Sequence, residues 1–235
     1  MNKNIYLLVL ALVFLISNKT KAKEQVVEKY NYALSGINLR EDKTLNSKIL
    51  LNIPYGEKVF VLKETSDYFK IDNIIGNWVK VRYKDVEGYV FGGYLSVIPA
   101  PNRKHFSVGK IYSIKEYNSV YFRYKGKLIL KKENDYLYKT YFTVENASVL
   151  ECFLLFRLIE IYPQVGLVNL PQNKISYRIE KKAIEVTIDV LKNSENMIEH
   201  IDIIILYYNS SGRIIYHFEK INQTDVLVTI INELP

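Results

Sequence analysis

Ser35-Gly36-Ile37-Asn38-Leu39-Arg40, Ile53-Pro54-Tyr55-Gly56-Glu57-Lys58-Val59-Phe60-Val61-Leu62, Gly76-Asn77-Trp78-Val79-Lys80-Val81-Arg82-Tyr83 and Gly88-Tyr89-Val90-Phe91-Gly92-Gly93-Tyr94-Leu95-Ser96 follow one another between Tyr30 and Ile98. Two of these blocks alternate. Val59 and Val61 oppose Phe60 and Leu62, and Val79, Val81 and Tyr83 oppose Trp78, Lys80 and Arg82, which is the period of a β-strand. Pro54 and Gly56 supply a fixed φ and a permissive one for a tight turn. Asp85 to Gly88 reads as a hairpin connection between Trp78–Tyr83 and Tyr89–Phe91. Gly92-Gly93 lets the chain bend before Tyr94-Leu95. Short strands with Gly and Pro corners predict a small β-barrel, which hides its edges by curling.

The order and spacing of these blocks resemble a bacterial SH3 (SH3b) domain. Asn38-Leu39-Arg40 matches the family's opening signature, and Gly88-Tyr89-Val90 with Gly93-Tyr94-Leu95 its closing one. The segment from Lys63 to Gly76, with Asp67, Tyr68 and Asp72, departs from the pattern and reads as a lengthened loop before the Trp78 strand. The resemblance implies a binding or targeting module of an exported bacterial protein, with cell-wall peptide (peptidoglycan) or an envelope protein as partner. A peptide groove needs exposed aromatic rings beside hydrogen-bonding groups. Tyr55, Tyr68, Trp78, Tyr89 and Tyr94 are the candidate ligand-binding residues. Core or corner packing is the competing role for Trp78, Tyr89 and Tyr94, and Arg40 reads as a residue that ties down a turn.

Outward from this block, residues 30–98 are expected to be the SH3b-like domain, 99–104 a linker marked by Pro99 and Pro101, and 105–235 a second, β-rich α+β domain. Gly109–Lys115, Ser119–Tyr124, Lys127–Lys132 and Tyr136–Val144 read as a meander of strands. The period then changes. Ser148 to Tyr162 is apolar nearly all round, which predicts a buried helix. Asn146 or Ser148 caps it, Glu151 sits favourably in its first turn, and Pro163 stops it. Ile175–Ile179, Ile184–Leu191, Ile201–Tyr208, Ile214–Phe218 and Val226–Ile231 return to strand, with Asn209-Ser210-Ser211-Gly212 as a hairpin turn. The expected fold is mainly β: a small SH3-like barrel, then an antiparallel sheet carrying one buried helix.

At the N-terminus, Lys3 precedes an apolar run from Ile5 to Ile16 that is too short for a span of about 20 residues. Residues 1–22 read as a secretory signal peptide with cleavage after Ala22, so the protein is expected to be exported, periplasmic or secreted. No later apolar run is long enough for a membrane span. The 235 residues carry a formal charge of +7. Loss of Lys3, Lys19 and Lys21 lowers this by one each, to +4, and the remaining basic residues are dispersed, so no nucleic-acid partner is expected. A single cysteine, Cys152, rules out an internal disulfide framework.

Bacterial SH3 domains accompany NlpC-type cell-wall cysteine peptidases, and the order Cys152, His200, His217 follows that family's nucleophile and base. The surroundings do not. Glu151-Cys152-Phe153-Leu154 puts bulky side chains where that family has an aspartate before the nucleophile and small residues after it, and a lone cysteine in a buried helix acts as a small hydrophobe. We therefore expect no catalysis, with a divergent peptidase as the alternative. His105, His200 and His217 lack the spacing of a metal motif, and no cofactor-binding glycine loop is present, so neither metal nor cofactor is expected. Asp67, Asp72, Glu185 and Asp189 read as solvated strand or loop positions.

Overall fold

The computed structural model describes residues 27–72, 74–102, 126–132, 137–161, 165–166 and 169–233. The signal peptide, His105, Pro163 and the strands expected at 109–115 and 119–124 lie outside the described residues. Among these residues the fold is mainly β, with two seven-stranded antiparallel sheets and one short α-helix.

The first sheet comprises β1 (Val27–Asn31), β2 (Ile37–Arg40), β3 (Ile49–Ile53), β4 (Lys58–Ile71), β5 (Ile74–Tyr83), β6 (Val86–Phe91) and β7 (Leu95–Ser96), in the order β3-β2-β6-β5-β4-β1-β7. It curls into half a barrel. Leu39, Ile53, Val59, Val81 and Val90 are fully enclosed. Each side chain of that kind stabilises the fold by about 1.5–3 kcal/mol relative to exposure. A fully buried Asn31 pins the start of the sheet. Its amide donates to the carbonyls of Ile53 at 2.9 Å and Pro54 at 3.1 Å, and its side-chain oxygen accepts from the Ala33 N–H at 2.9 Å.

Two expectations for this sheet need correction. The Lys63–Gly76 segment is not a loop. β4 continues to Ile71 and β5 begins at Ile74, so the insertion is a long hairpin. Its apolar side chains explain why: Phe69 stacks on Trp78 at 4.7 Å and tilts against Phe91 at 4.8 Å. The β5–β6 connection is also tighter than Asp85–Gly88. Lys84 and Asp85 alone make the turn, with Lys84 at φ 53°, and Val86 to Gly88 already pair in the strand.

The second sheet comprises β8 (Gly126–Lys132), β9 (Leu137–Val144), β10 (Lys174–Ile179), β11 (Ile184–Lys192), β12 (Ile198–Tyr207), β13 (Arg213–Lys220) and β14 (Val226–Glu233), in the order β10-β11-β12-β13-β14-β9-β8. Alternation along β11, β12 and β13 buries one face. Val186, Ile188, Ile201, Ile203, Phe218 and Val228 are enclosed, and the helix α1 (Val149–Phe156) packs on this face over β12, β13 and β14. Phe156 meets Phe218 and Phe142 edge-on at 5.6 and 5.5 Å.

Ser148 caps α1, and Glu151 returns the bond in a capping box: the Glu151 N–H donates to Ser148 Oγ, and the Ser148 N–H donates to Glu151 Oε2 at 2.8 Å. The helix expected to reach Tyr162 changes form at Arg157. Residues Arg157–Ile161 make one π-helical turn, a rare wide turn that recurs at functional sites.

Candidate functional site

The linker and α1 are tied to the first sheet by polar contacts. Tyr32 Oη donates to the Pro99 carbonyl at 3.0 Å, and Tyr55 Oη to that of Pro101 at 2.8 Å. The free oxygen of the capping glutamate, Glu151 Oε1, accepts the Val97 N–H at 2.9 Å. This arrangement brings the π turn that follows α1 against the first sheet, and a cavity of about 390 Å³ lies between them. That is within the usual size of a small-ligand pocket, roughly 300–1,000 Å³.

Each wall follows from local sequence. The 3₁₀ turn Gly92–Tyr94 presses directly onto β5, because both partners lack side chains there: a Cβ on Gly76 would lie 2.5 Å from the Gly93 nitrogen. The close approach sets Tyr94 beside Phe91, edge-on at 5.8 Å, and next to Trp78 on the cavity wall. The opposite rim is the Ala33–Asn38 segment, turned by Gly36 at φ 84°. Arg40 lines the rim while its Nη1 donates to the Ser47 carbonyl at 2.7 Å, so it ties down a turn as expected.

Asp72, at the tip of the β4–β5 hairpin, accepts the Tyr94 hydroxyl at 2.9 Å. Asp72 is exposed, as expected, and this bond ties the hairpin tip to Tyr94. Arg157 comes from the π turn. Only 4% of it is exposed, and its Nε has no hydrogen-bond partner among the described residues.

The charges in the cavity follow from burial. Burial, with the Asp72 hydrogen bond and charge, pushes the Tyr94 phenol up to about 12, against a smaller opposing pull from Arg157. Burial pulls Arg157 below its ordinary value, and the neighbouring Tyr94 and Asp72 oppose that pull. Arginine has ample margin to remain a cation. The cavity thus joins an aromatic wall to a buried, incompletely satisfied guanidinium, a pairing suited to a ligand with apolar surface and a carboxylate.

Of the five candidate residues, the structure brings Trp78 and Tyr94 together in this cavity. Tyr55 holds the linker instead. Tyr68 projects from the long hairpin with 58% exposure, and Tyr89 lies on β6 opposite Lys80, away from the cavity. Phe91, Asp72 and Arg157 are lining residues that sequence reasoning missed.

Cys152 does not meet the histidines. It is fully buried on the helix side of the second sheet, and burial, helped by the Glu151 charge, pushes its thiol well above the ordinary range. His200 and His217 alternate with the enclosed Ile201 and Phe218, so they occupy the opposite face, where Asp202 joins them. The sheet stands between the thiol and both imidazoles, which leaves a thiolate–imidazole pair without geometric support.

Residues 35–96 match the family model of a bacterial SH3 domain. The matched span runs from the cavity rim through β7 and includes Trp78, Phe91 and Tyr94. No curated protein and no solved structure matches the chain.

Proposed function

We propose that this chain is an exported, non-catalytic protein of the bacterial envelope whose SH3 domain binds cell-wall peptide in the cavity between Trp78, Tyr94 and Arg157. The observation that carries the reading is the buried Arg157 guanidinium, whose Nε has no hydrogen-bond partner among the described residues, set against an aromatic wall of a domain matched to the bacterial SH3 family. A peptide carboxylate satisfies that cation, and the flanking rings cover the apolar stem of the same ligand. Export rests on the charged and apolar pattern of residues 1–22.

Trp78 is the single tryptophan of the chain, so its emission reports the cavity directly. Titration with soluble muropeptides is expected to shift that emission saturably, and the protein is expected to sediment with insoluble peptidoglycan sacculi. If neither occurs, the cell-wall reading fails. Export is tested separately by mass spectrometry of the chain made in a bacterial host, where loss of residues 1–22 is the expected result and an intact cytosolic chain the contrary one.

A further inference from the structure

β12 and β13 form a hairpin whose turn is closed by the Tyr207 N–H donating to the Gly212 carbonyl at 3.0 Å. Its register sets Asp202 opposite His217 and His200 opposite Glu219. All four side chains occupy the sheet face away from α1. The Asp202 carboxylate stands between two imidazoles: Oδ2 is 2.9 Å from His200 Nε2, and Oδ1 is 2.7 Å from His217 Nδ1. The rings meet edge-on with centroids 4.4 Å apart. One nitrogen from each histidine and a carboxylate oxygen all lie within 4.8 Å of one another. On the far side of the His217 ring, Glu219 Oε2 is 3.5 Å from Nε2.

We infer that His200, Asp202 and His217 bind one divalent transition-metal ion of the zinc class, with Glu219 orienting the His217 ring. The donor set argues the class. Two imidazoles and one carboxylate suit zinc and its borderline neighbours, whereas calcium and magnesium take oxygen ligands. The geometry argues the fit. At bond lengths of about 2.0–2.1 Å, tetrahedral ligand atoms are about 3.3 Å apart. The present 2.7 and 2.9 Å separations, one to each oxygen of the carboxylate, need to widen by about half an ångström, while the remaining ligand-atom separation, at most 4.8 Å, has to close, both by side-chain rotation on a fixed backbone.

Glu219 is the independent pointer. A carboxylate at one nitrogen of a metal-binding histidine fixes the tautomer and frees the other nitrogen. At 2.7 Å the proton lies between Nδ1 and Asp202, and a bound ion takes its place; Glu219, 3.5 Å from Nε2, is placed to hold the proton on that nitrogen once Nδ1 is a ligand. Both strands are interior to the sheet and paired on each side, which gives the donors a rigid base. The side chains of His200, Asp202 and His217 are 22%, 32% and 32% exposed, open enough for an ion to enter. Three protein ligands leave the fourth tetrahedral position to water. The site lies on the second sheet and is independent of the peptide cavity.

The test is calorimetric titration of chelator-stripped, untagged chain with Zn²⁺ at neutral pH, together with the visible absorption of a Co²⁺ complex. One ion per chain and a tetrahedral cobalt spectrum are expected. His200→Ala and His217→Ala are expected to weaken binding at least about 100-fold, and Glu219→Gln by roughly 10- to 100-fold at unchanged stoichiometry. Circular dichroism checks that each variant folds. Should a variant fail to fold, the wild-type melting temperature serves instead, rising with Zn²⁺ and not with Mg²⁺. Absence of saturable zinc binding, wild-type affinity in the His200→Ala/His217→Ala double variant, or equal stabilisation by Mg²⁺ would each overturn the assignment.

Discussion

Replacing Arg157 by methionine separates a binding cation from a structural one. Methionine keeps the unbranched stem that runs toward Phe153, whose ring centroid is 5.9 Å from the guanidinium carbon. Removing the guanidinium also removes a buried donor without a partner, which costs about 1–3 kcal/mol in the native state. Against this stands the lost attraction of Tyr94 and Asp72 for the cation. Asp72 keeps its hydrogen bond from Tyr94 at the exposed hairpin tip, so little desolvated charge is left stranded. Replacement of a whole buried ion pair by apolar side chains is neutral or stabilising by about 1–4 kcal/mol, and because Asp72 stays solvated Arg157→Met should resemble that case and not the costly removal of one buried partner. The expected stability of Arg157→Met is therefore within about 1 kcal/mol of the native chain, or above it. Binding should behave oppositely. A lost charge-assisted hydrogen bond is worth about 1.5–3 kcal/mol, roughly a 10- to 150-fold weaker affinity. Urea unfolding followed by far-ultraviolet circular dichroism gives the first quantity, and the Trp78 titration gives the second. A loss of about 3 kcal/mol or more, with binding undiminished, would refute the reasoning and make Arg157 a structural tie.

Four further outcomes follow from the same contacts. Glu151→Ala removes the capping box and the bond from Val97, and is expected to cost about 2–4 kcal/mol in urea unfolding, against about 1 for Ser148→Ala; equal costs would show that the Val97 bond contributes nothing. Gly76→Ala forces a Cβ to within 2.5 Å of the Gly93 nitrogen, and is expected to cost about 1–3 kcal/mol while displacing Tyr94 and weakening the Trp78 response. The Tyr94 phenol, held up to about 12 in the folded chain, titrates near 10 when unfolded. Its contribution is intact below pH 10 and is lost as pH rises toward 12, by about 1 kcal/mol after allowance for its partial exposure; denaturation of native and Tyr94→Phe chains across that window should show the native chain alone losing this amount. Cys152 is expected to react with a thiol reagent only as fast as the protein unfolds, and rapid modification of the folded chain at neutral pH would contradict its burial.

The blocks that made the first sheet legible are local: a proline–glycine turn, two alternating strands and a glycine–tyrosine closing bend each fit within a few residues. The insertion escaped because its alternation is broken. Pairing of β4 with β5 shifts register between Val61 and Lys63 and again between Glu64 and Tyr68. Phe69 and Ile71 keep the phase of Val59 and Val61, but the polar run Lys63-Glu64-Thr65-Ser66-Asp67 between them, which spans these register shifts, breaks the apolar alternation. Of the five strands after Pro171, β11, β12 and β13 were the most readable, because each alternates buried and part-exposed side chains along its centre. The histidine cluster was within reach of the same reading. Once Asn209–Gly212 is taken as the turn, equal steps outward from Leu206 and Arg213 arrive at Asp202 and His217, and the structure pairs them. No motif of contiguous spacing covers the cluster, because its residues come together across two paired strands.

Arg157 had no such signal. A single arginine in a helix apolar nearly all round has no neighbour that announces a cavity, and the change from α to π winding that aims it is a matter of packing. Its partners Tyr94 and Asp72 lie far back in the chain, on the other sheet. The family match ends at residue 96, yet the cation that would read a ligand's carboxylate enters from residue 157. The matched SH3 domain supplies the aromatic wall. In the proposed reading the selecting charge is Arg157, from the π turn that follows α1, and Glu151, by bonding Val97, ties that helix to the first sheet. Under the proposed function, ligand choice is a property of the junction, and substitutions at Glu151 should alter binding even though its side chain does not line the cavity.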